Sequence, residues 1–132
     1  MESNIDDMTG EELGYLLELL FENNVKDAYY TSIYMKKNRP AVILNVIALK
    51  EDVESISSLI FKHSTSLGIR VYNIDRITMD REIFSKETEF GDVSYKISNY
   101  KDIEKISIEY EDLKKISKKT GLSIRQIYNK LI

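Results

Sequence analysis

The chain has 132 residues, of which 42% are hydrophobic and 31% charged, with a net charge of −3 and no cysteine. Length and composition fit one globular domain with a real core and exclude a disordered tail. The missing cysteines exclude disulfides, thiolate metal sites and a cysteine nucleophile, and the mild acidity gives no global pull toward nucleic acid or anionic membrane.

In chain order, residues 2–6 read as a short edge strand. Thr9 then offers a helix N-cap, and Glu12 three residues on completes a capping box. Leu13, Leu16, Leu17, Leu20 and Phe21 follow helical spacing, so 10–23 is an amphipathic helix that stops at Asn23-Asn24. Residues 26–36 alternate as a strand, with Tyr29, Thr31, Ile33 and Met35 on one face and Tyr30, Ser32 and Tyr34 on the other. Lys37-Asn38-Arg39-Pro40 is a turn, because Pro is barred from a central ladder. The apolar run 41–49 is a buried strand. A second helix covers 51–66, with Val53, Ile56, Leu59 and Ile60 inward and Gly68 suited to its end, and a long strand covers 69–79.

This order predicts an α+β fold with a ferredoxin-like βαββαβ core over about 2–81. Extra strands are expected within 82–108, at 82–90, 93–98 and 103–108. A C-terminal helical hairpin over 109–131 follows, with Gly121 as the stop of its first helix and Ser123 as the cap of its second. The whole of 1–132 is expected as a single domain. No apolar run approaches the roughly 20 residues of a membrane span. The start, Met1-Glu2-Ser3-Asn4, leads into acid rather than the basic n-region of a signal peptide. A cytoplasmic location without membrane attachment is expected.

Two clusters carry the candidate chemistry. Asn4, Asp6, Asp7, Glu11 and Glu12 lie within nine residues of one another. Crowded carboxylates repel and call for a cation, and Mg²⁺ or Mn²⁺ takes one or two carboxylates together with waters and phosphate oxygens. Asp6, Asp7 and Glu11 are the metal candidates, and Glu12 is better explained as a cap partner. The plainer account of all four acids is stabilisation of a helix N-terminus. Lys36, Lys37 and Arg39 put three cations in four residues, a phosphate-binding candidate, although edge lysines also serve only to discourage aggregation. Whether acidic turn and basic hairpin meet in one subunit or across an oligomer interface is left open by the order of elements.

Lesser candidates for phosphate are the hydroxyls of Ser64 and Thr65, and Arg70 and Arg76, which share strand parity. Tyr29, Tyr30, Tyr34 and Tyr72 are able to stack on a planar base, though strand aromatics more often serve a core or an interface. His63 reads as an ordinary helix residue, and Glu109, Glu111 and Asp112 as first-turn acids.

The strings Asn4-Ile5-Asp6-Asp7-Met8-Thr9-Gly10-Glu11 and Tyr34-Met35-Lys36-Lys37-Asn38-Arg39-Pro40 resemble those of the C-terminal domain of the LarC nickel insertion proteins. Ser64-Thr65, Leu67-Gly68-Ile69-Arg70 and Glu109-Tyr110-Glu111-Asp112 extend the resemblance over nearly the whole chain. Ser32 and Ile108 stand where the family pattern leads us to expect Pro. The resemblance implies a part of a CTP-dependent cyclometallase that inserts Ni²⁺ into the pincer nucleotide cofactor of lactate racemase. It further implies CTP with Mg²⁺ or Mn²⁺ as ligands of this domain, a homo-oligomer, and access to the pincer nucleotide precursor through an N-terminal part not included here. With one His and no Cys, the chain is itself a poor nickel binder.

A competing reading comes from residues 112–131, which have the Gly turn, Ser cap and basic residues of a helix-turn-helix. No third supporting helix is evident, and the net acidity opposes nucleic acid as a partner.

Overall fold

The structure is a computed structural model that describes residues 1–132. Strands β1 (Glu2–Ile5), β2 (Asp27–Met35) and β3 (Arg39–Ile47) form one antiparallel sheet in the order β1-β3-β2. Strands β4 (Asp80–Thr88), β5 (Gly91–Tyr100) and β6 (Ile103–Ile108) form a second in the order β4-β5-β6. Helices α1 (Gly10–Phe21) and α2 (Val53–His63) belong to the first half, and α3 (Tyr110–Thr120) and α4 (Ile124–Leu131) to the second. The chain divides into two compact units, Met1–Ile74 and Asp75–Ile132.

In the first unit, alternation decides which face of the sheet is covered. Ile5, Ala28, Leu44 and Val46 point to one side and pack with Leu16, Leu20, Ile56 and Ile60 of the two helices. Glu2, Asn45 and Tyr29 are paired across the three strands and share the other face, as do Asn4, Ile43 and Thr31. The run at 41–49 is therefore central in the sheet but covered on one face only. Thr9 caps α1 as expected: its backbone N–H donates to Glu12 Oε2 at 2.7 Å, and Glu12 N–H donates to Thr9 Oγ1 at 3.3 Å. Phe21, expected inward, is exposed. Arg39 and Pro40 belong to β3 rather than to the turn. Pro40 is tolerated because it lies beyond the reach of β1, whose last partner on β3 is Val42.

Two further expectations are corrected. Helix α2 ends at His63 and not at 66, because Ser64 turns extended and its hydroxyl donates to the Ile60 carbonyl at 2.7 Å. The long strand expected at 69–79 is absent, so no fourth strand completes the first sheet; what remains is one antiparallel bridge between Arg70 and Glu2. Strand-like alternation does not make a strand by itself: the backbone of Arg70 exchanges both its hydrogen bonds with Glu2 at 2.8 Å, and none of residues 71–79 joins a ladder.

In the second unit, Val93, Tyr95 and Ile108 of the sheet pack against Leu113, Ile116 and Ile127 of the helices. Gly121 closes α3 in the left-handed region at φ 75°, and Ser123 caps α4 with a second capping box through Gln126. The helical hairpin expected at the C-terminus is present, and its apolar side lies on the sheet. Strands β4, β5 and β6 match the three expected there within a few residues.

Candidate functional site

Antiparallel pairing brings the two sequence clusters together. β1 runs from Glu2 to Ile5 while its neighbour β3 runs back past Val42 opposite Ile5. The turn that leaves β1 therefore lies beside the hairpin that enters β3. Asp6 Oδ2 accepts from Arg39 Nη1 at 3.2 Å, an exposed ion pair across 33 residues of chain. The acidic turn and the basic hairpin thus meet within one chain, and no second subunit is needed to join them.

The hairpin itself is a 3-10 turn, Lys36–Asn38, with backbone that L-residues rarely adopt: φ is 61° at Lys37 and 57° at Asn38. Asn tolerates this region, whereas Lys adopts it at a cost of about 1 kcal/mol. Lys36 and Lys37 are exposed and form no ion pair, so both ammonium groups point into solvent at the same end as Asp6.

The loop after α2 arrives at the same place. The Thr65 hydroxyl donates to Asp7 Oδ1, joining this loop to the acidic turn across 58 residues of chain. Ser64 is committed to the helix end, but its oxygen also accepts the Ser66 N–H at 3.2 Å. Beneath them Ser3 and Ser66, both buried, share a hydrogen bond, and each hydroxyl also reaches the Gly68 carbonyl at 3.0 Å. This buried serine pair fixes the loop against β1. Sequence reasoning missed it, because it requires knowing that Ser3 faces inward; the alternation of Ser3 and Ile5 was the available signal.

Arg70 lies alongside β1. Its Nη2 donates to Asn4 Oδ1 at 2.6 Å and its Nε to Glu2 Oε2 at 3.3 Å. Asp6, Asp7, Arg39, Thr65, Asn4 and Arg70 are therefore linked to the two turns or to β1 by direct contacts. Arg76 is not brought in: it lies in the exposed segment 71–78 and has no ion-pair partner. Glu11 is exposed in the first turn of α1. Asp6, Asp7 and Glu11 do not form a group of three acidic side chains able to hold a metal by themselves. The donor set still fits a hard cation that takes one or two carboxylates and completes its shell with water and phosphate oxygens.

The tyrosines divide by face. Tyr30 lies on the covered side, donates its hydroxyl to the Leu13 carbonyl at 2.8 Å, and has its pKa pushed up to about 12 by burial. Tyr29 and Tyr72 line a cleft of about 530 Å³ on the open face, together with Glu2, Asn45, Lys50 and Val53. Tyr34 is exposed beside the basic hairpin.

A family model described as nickel insertion protein matches residues 1–128. A pyridinium-3,5-bisthiocarboxylic acid mononucleotide nickel insertion protein of Alkaliphilus metalliredigens is 43% identical over 99% of this chain, which spans 31% of that relative. Its counterpart in Thermotoga petrophila is 42% identical over 98% of this chain and 33% of its own length. The chain thus spans about a third of the curated relatives it matches. Among solved structures it resembles LarC2, the C-terminal domain of a cyclometallase involved in synthesis of the NPN cofactor of lactate racemase, in its apo form. There the TM-score is 0.92 at 36% identity, covering 97% of this chain and 89% of that one. A protein of Methanopyrus kandleri AV19, 23% identical with a TM-score of 0.72, shares the fold.

Proposed function

Because the chain belongs to the nickel insertion protein family and corresponds to its C-terminal, LarC2-like domain, we propose that it binds CTP together with Mg²⁺ or Mn²⁺ as one part of a nickel-inserting cyclometallase. The observation that carries this reading is the contact of Asp6 with Arg39 between two otherwise exposed clusters. A metal–triphosphate offers a cation to the carboxylate and oxyanions to the guanidinium. Binding then exchanges one exposed internal pair, worth little in water, for two matched partners, one of them able to grip phosphate bidentately.

In this reading Lys36, Lys37 and Arg39 hold the phosphates, and the Thr65 hydroxyl, with Ser64 next to it, turns from Asp7 toward a phosphate oxygen. Asp6 and Asp7 supply carboxylates to the cation, and Glu11 orients water around it. Arg70 has its charge engaged by Glu2, so it serves as a positioning group for Asn4 and β1. A divalent cation held by these carboxylates would supply charge neutralisation for the phosphate oxygens. Nickel is substrate, and with one His and no Cys this chain is not the nickel carrier. Nickel insertion, the pincer nucleotide and the role of CTP hydrolysis belong to the longer protein. The β1-β3-β2 order with the Arg70 bridge on the free edge of β1 supports reading the first unit as a ferredoxin-like core whose fourth strand is reduced to one residue pair.

Isothermal titration calorimetry tests this on the chain as it stands. Saturable CTP binding that requires Mg²⁺ or Mn²⁺ is expected, weakened roughly tenfold or more by Lys37→Ala and by Asp6→Ala. No heat and no thermal shift with millimolar CTP and either metal would overturn the proposal.

A further inference from the structure

Ser3 and Ser66 are the two polar residues buried in the core of this chain, at 1% and 8% exposure, and their hydroxyls meet across 63 residues of sequence. Their hydrogen bonds form a closed set. Each hydroxyl oxygen lies against the other and 3.0 Å from the Gly68 carbonyl, and Ser66 Oγ also accepts the Gly68 N–H at 3.3 Å. With one proton apiece, one serine donates to the carbonyl and the other to its partner serine. Neither has a proton left for a ligand, and both lie below the surface. Any effect of this pair on the site is therefore indirect.

The backbone supplies the route. Ser3 stands four residues before Asp7, and Ser66 directly follows Thr65. The pair thus ties together the two segments whose exposed ends meet at the Thr65–Asp7 hydrogen bond. The loop is fastened on both sides of Thr65. Before it, the Ser64 hydroxyl donates to the Ile60 carbonyl of α2 at 2.7 Å and accepts the Ser66 N–H at 3.2 Å. After it come the serine pair and the two backbone bonds of Arg70 with Glu2, each 2.8 Å. Thr65 itself is exposed, and its hydroxyl bonds only Asp7. A site whose groups are held in place before the ligand arrives loses less freedom on binding.

We infer that Ser3 and Ser66 are positioning residues of the metal–nucleotide site: without touching ligand, they hold Thr65 within reach of Asp7 and of a phosphate oxygen. This rests on the nucleotide reading and names the buried pair that pre-organises it.

A double-mutant cycle on the full chain tests the route. Ser3→Ala cuts the tie to β1 and leaves the bonds of Ser66 to Gly68 within the loop. It is expected to weaken CTP binding with Mn²⁺ about fivefold by calorimetry. Thr65→Val removes the hydroxyl being positioned. In that background Ser3→Ala is expected to change affinity by less than about twofold, because residues that act through one another are not additive. A purely structural role would weaken binding equally in both backgrounds. Circular dichroism and thermal unfolding of each variant check the fold. Wild-type binding with Ser3→Ala indifferent, or with the same loss whether or not the Thr65 hydroxyl is present, would overturn this inference alone. So would a Ser3→Ala chain that no longer folds, which would make the pair a folding element. A wild-type chain without metal-dependent CTP binding would overturn the nucleotide reading, and this inference with it.

Discussion

Lys37 is a side chain whose backbone and charge make opposite demands. Its φ of 61° is one that glycine adopts more readily. Lys37→Gly is therefore expected to leave the melting temperature within about 3 °C of wild type, since relief of the left-handed conformation offsets the added freedom of the unfolded chain. CTP affinity is expected to fall by about tenfold in the same variant, measured by calorimetry with Mn²⁺ present. Loss of stability without loss of affinity would return the residue to a purely structural role. Asp6 and Arg39 follow the same logic. Their pair is exposed and contributes below about 1 kcal/mol, so Arg39→Ala is expected to weaken nucleotide binding with little change in unfolding.

Two carboxylates link stability to pH. The Thr9 backbone N–H, and after it the Thr9 hydroxyl, holds the Glu12 carboxyl below its ordinary value of 4.5. The Ser94 backbone N–H does the same for Asp112, below 3.8, with Lys115 adding to it. Both groups favour the charged form in the folded chain. Their stabilisation is present above those ordinary values and is lost as pH falls through the lower folded ones. The melting temperature is expected to fall on acidification below about pH 4.5, and a shallower fall is expected in Glu12→Gln and Asp112→Asn.

The elements whose ends are governed by local chemistry are the ones the sequence announces. Thr9 with Glu12 marks the start of α1, and Ser123 with Gln126 the start of α4, because a capping box needs only four consecutive residues. Gly121 ends α3 where a left-handed residue is required, and Gly121→Ala is expected to cost about 1 kcal/mol by thermal unfolding. Asp112 connects α3 to β5 by accepting the Ser94 N–H at 2.9 Å. Asp112→Ala is expected to cost about 2 kcal/mol, because it leaves a partly buried backbone donor without its charged acceptor. The segment 69–79 shows where such signals stop. Its alternation and β-branched residues are those of a strand, but a strand exists only where the backbone finds a ladder partner, and past the pair Arg70–Glu2 the segment has none.

For the molecule as a whole, two separate hydrophobic clusters accompany the two compact units. Every candidate ligand for the metal–nucleotide except Arg76 lies in Met1–Ile74. A fragment of residues 1–74, checked for native circular dichroism, is expected to retain metal-dependent CTP binding within about threefold of the full chain. Loss of binding in that folded fragment would overturn the assignment of the site to the first unit.

By itself the sequence determined the local structure and the chemical vocabulary: capped helices, alternating strands, an acidic turn and a basic hairpin, each encoded within about ten consecutive residues. Its strings were also enough to bring the family into view. Tertiary structure alone decided that the turn and the hairpin share one chain. It also decided that Thr65 reaches Asp7, that Ser3 and Ser66 lock together beneath them, and that the strand expected at 69–79 does not form. Each of these depends on which strand edges meet and in what register, and that is fixed by pairing between residues some 30 to 70 apart in the chain.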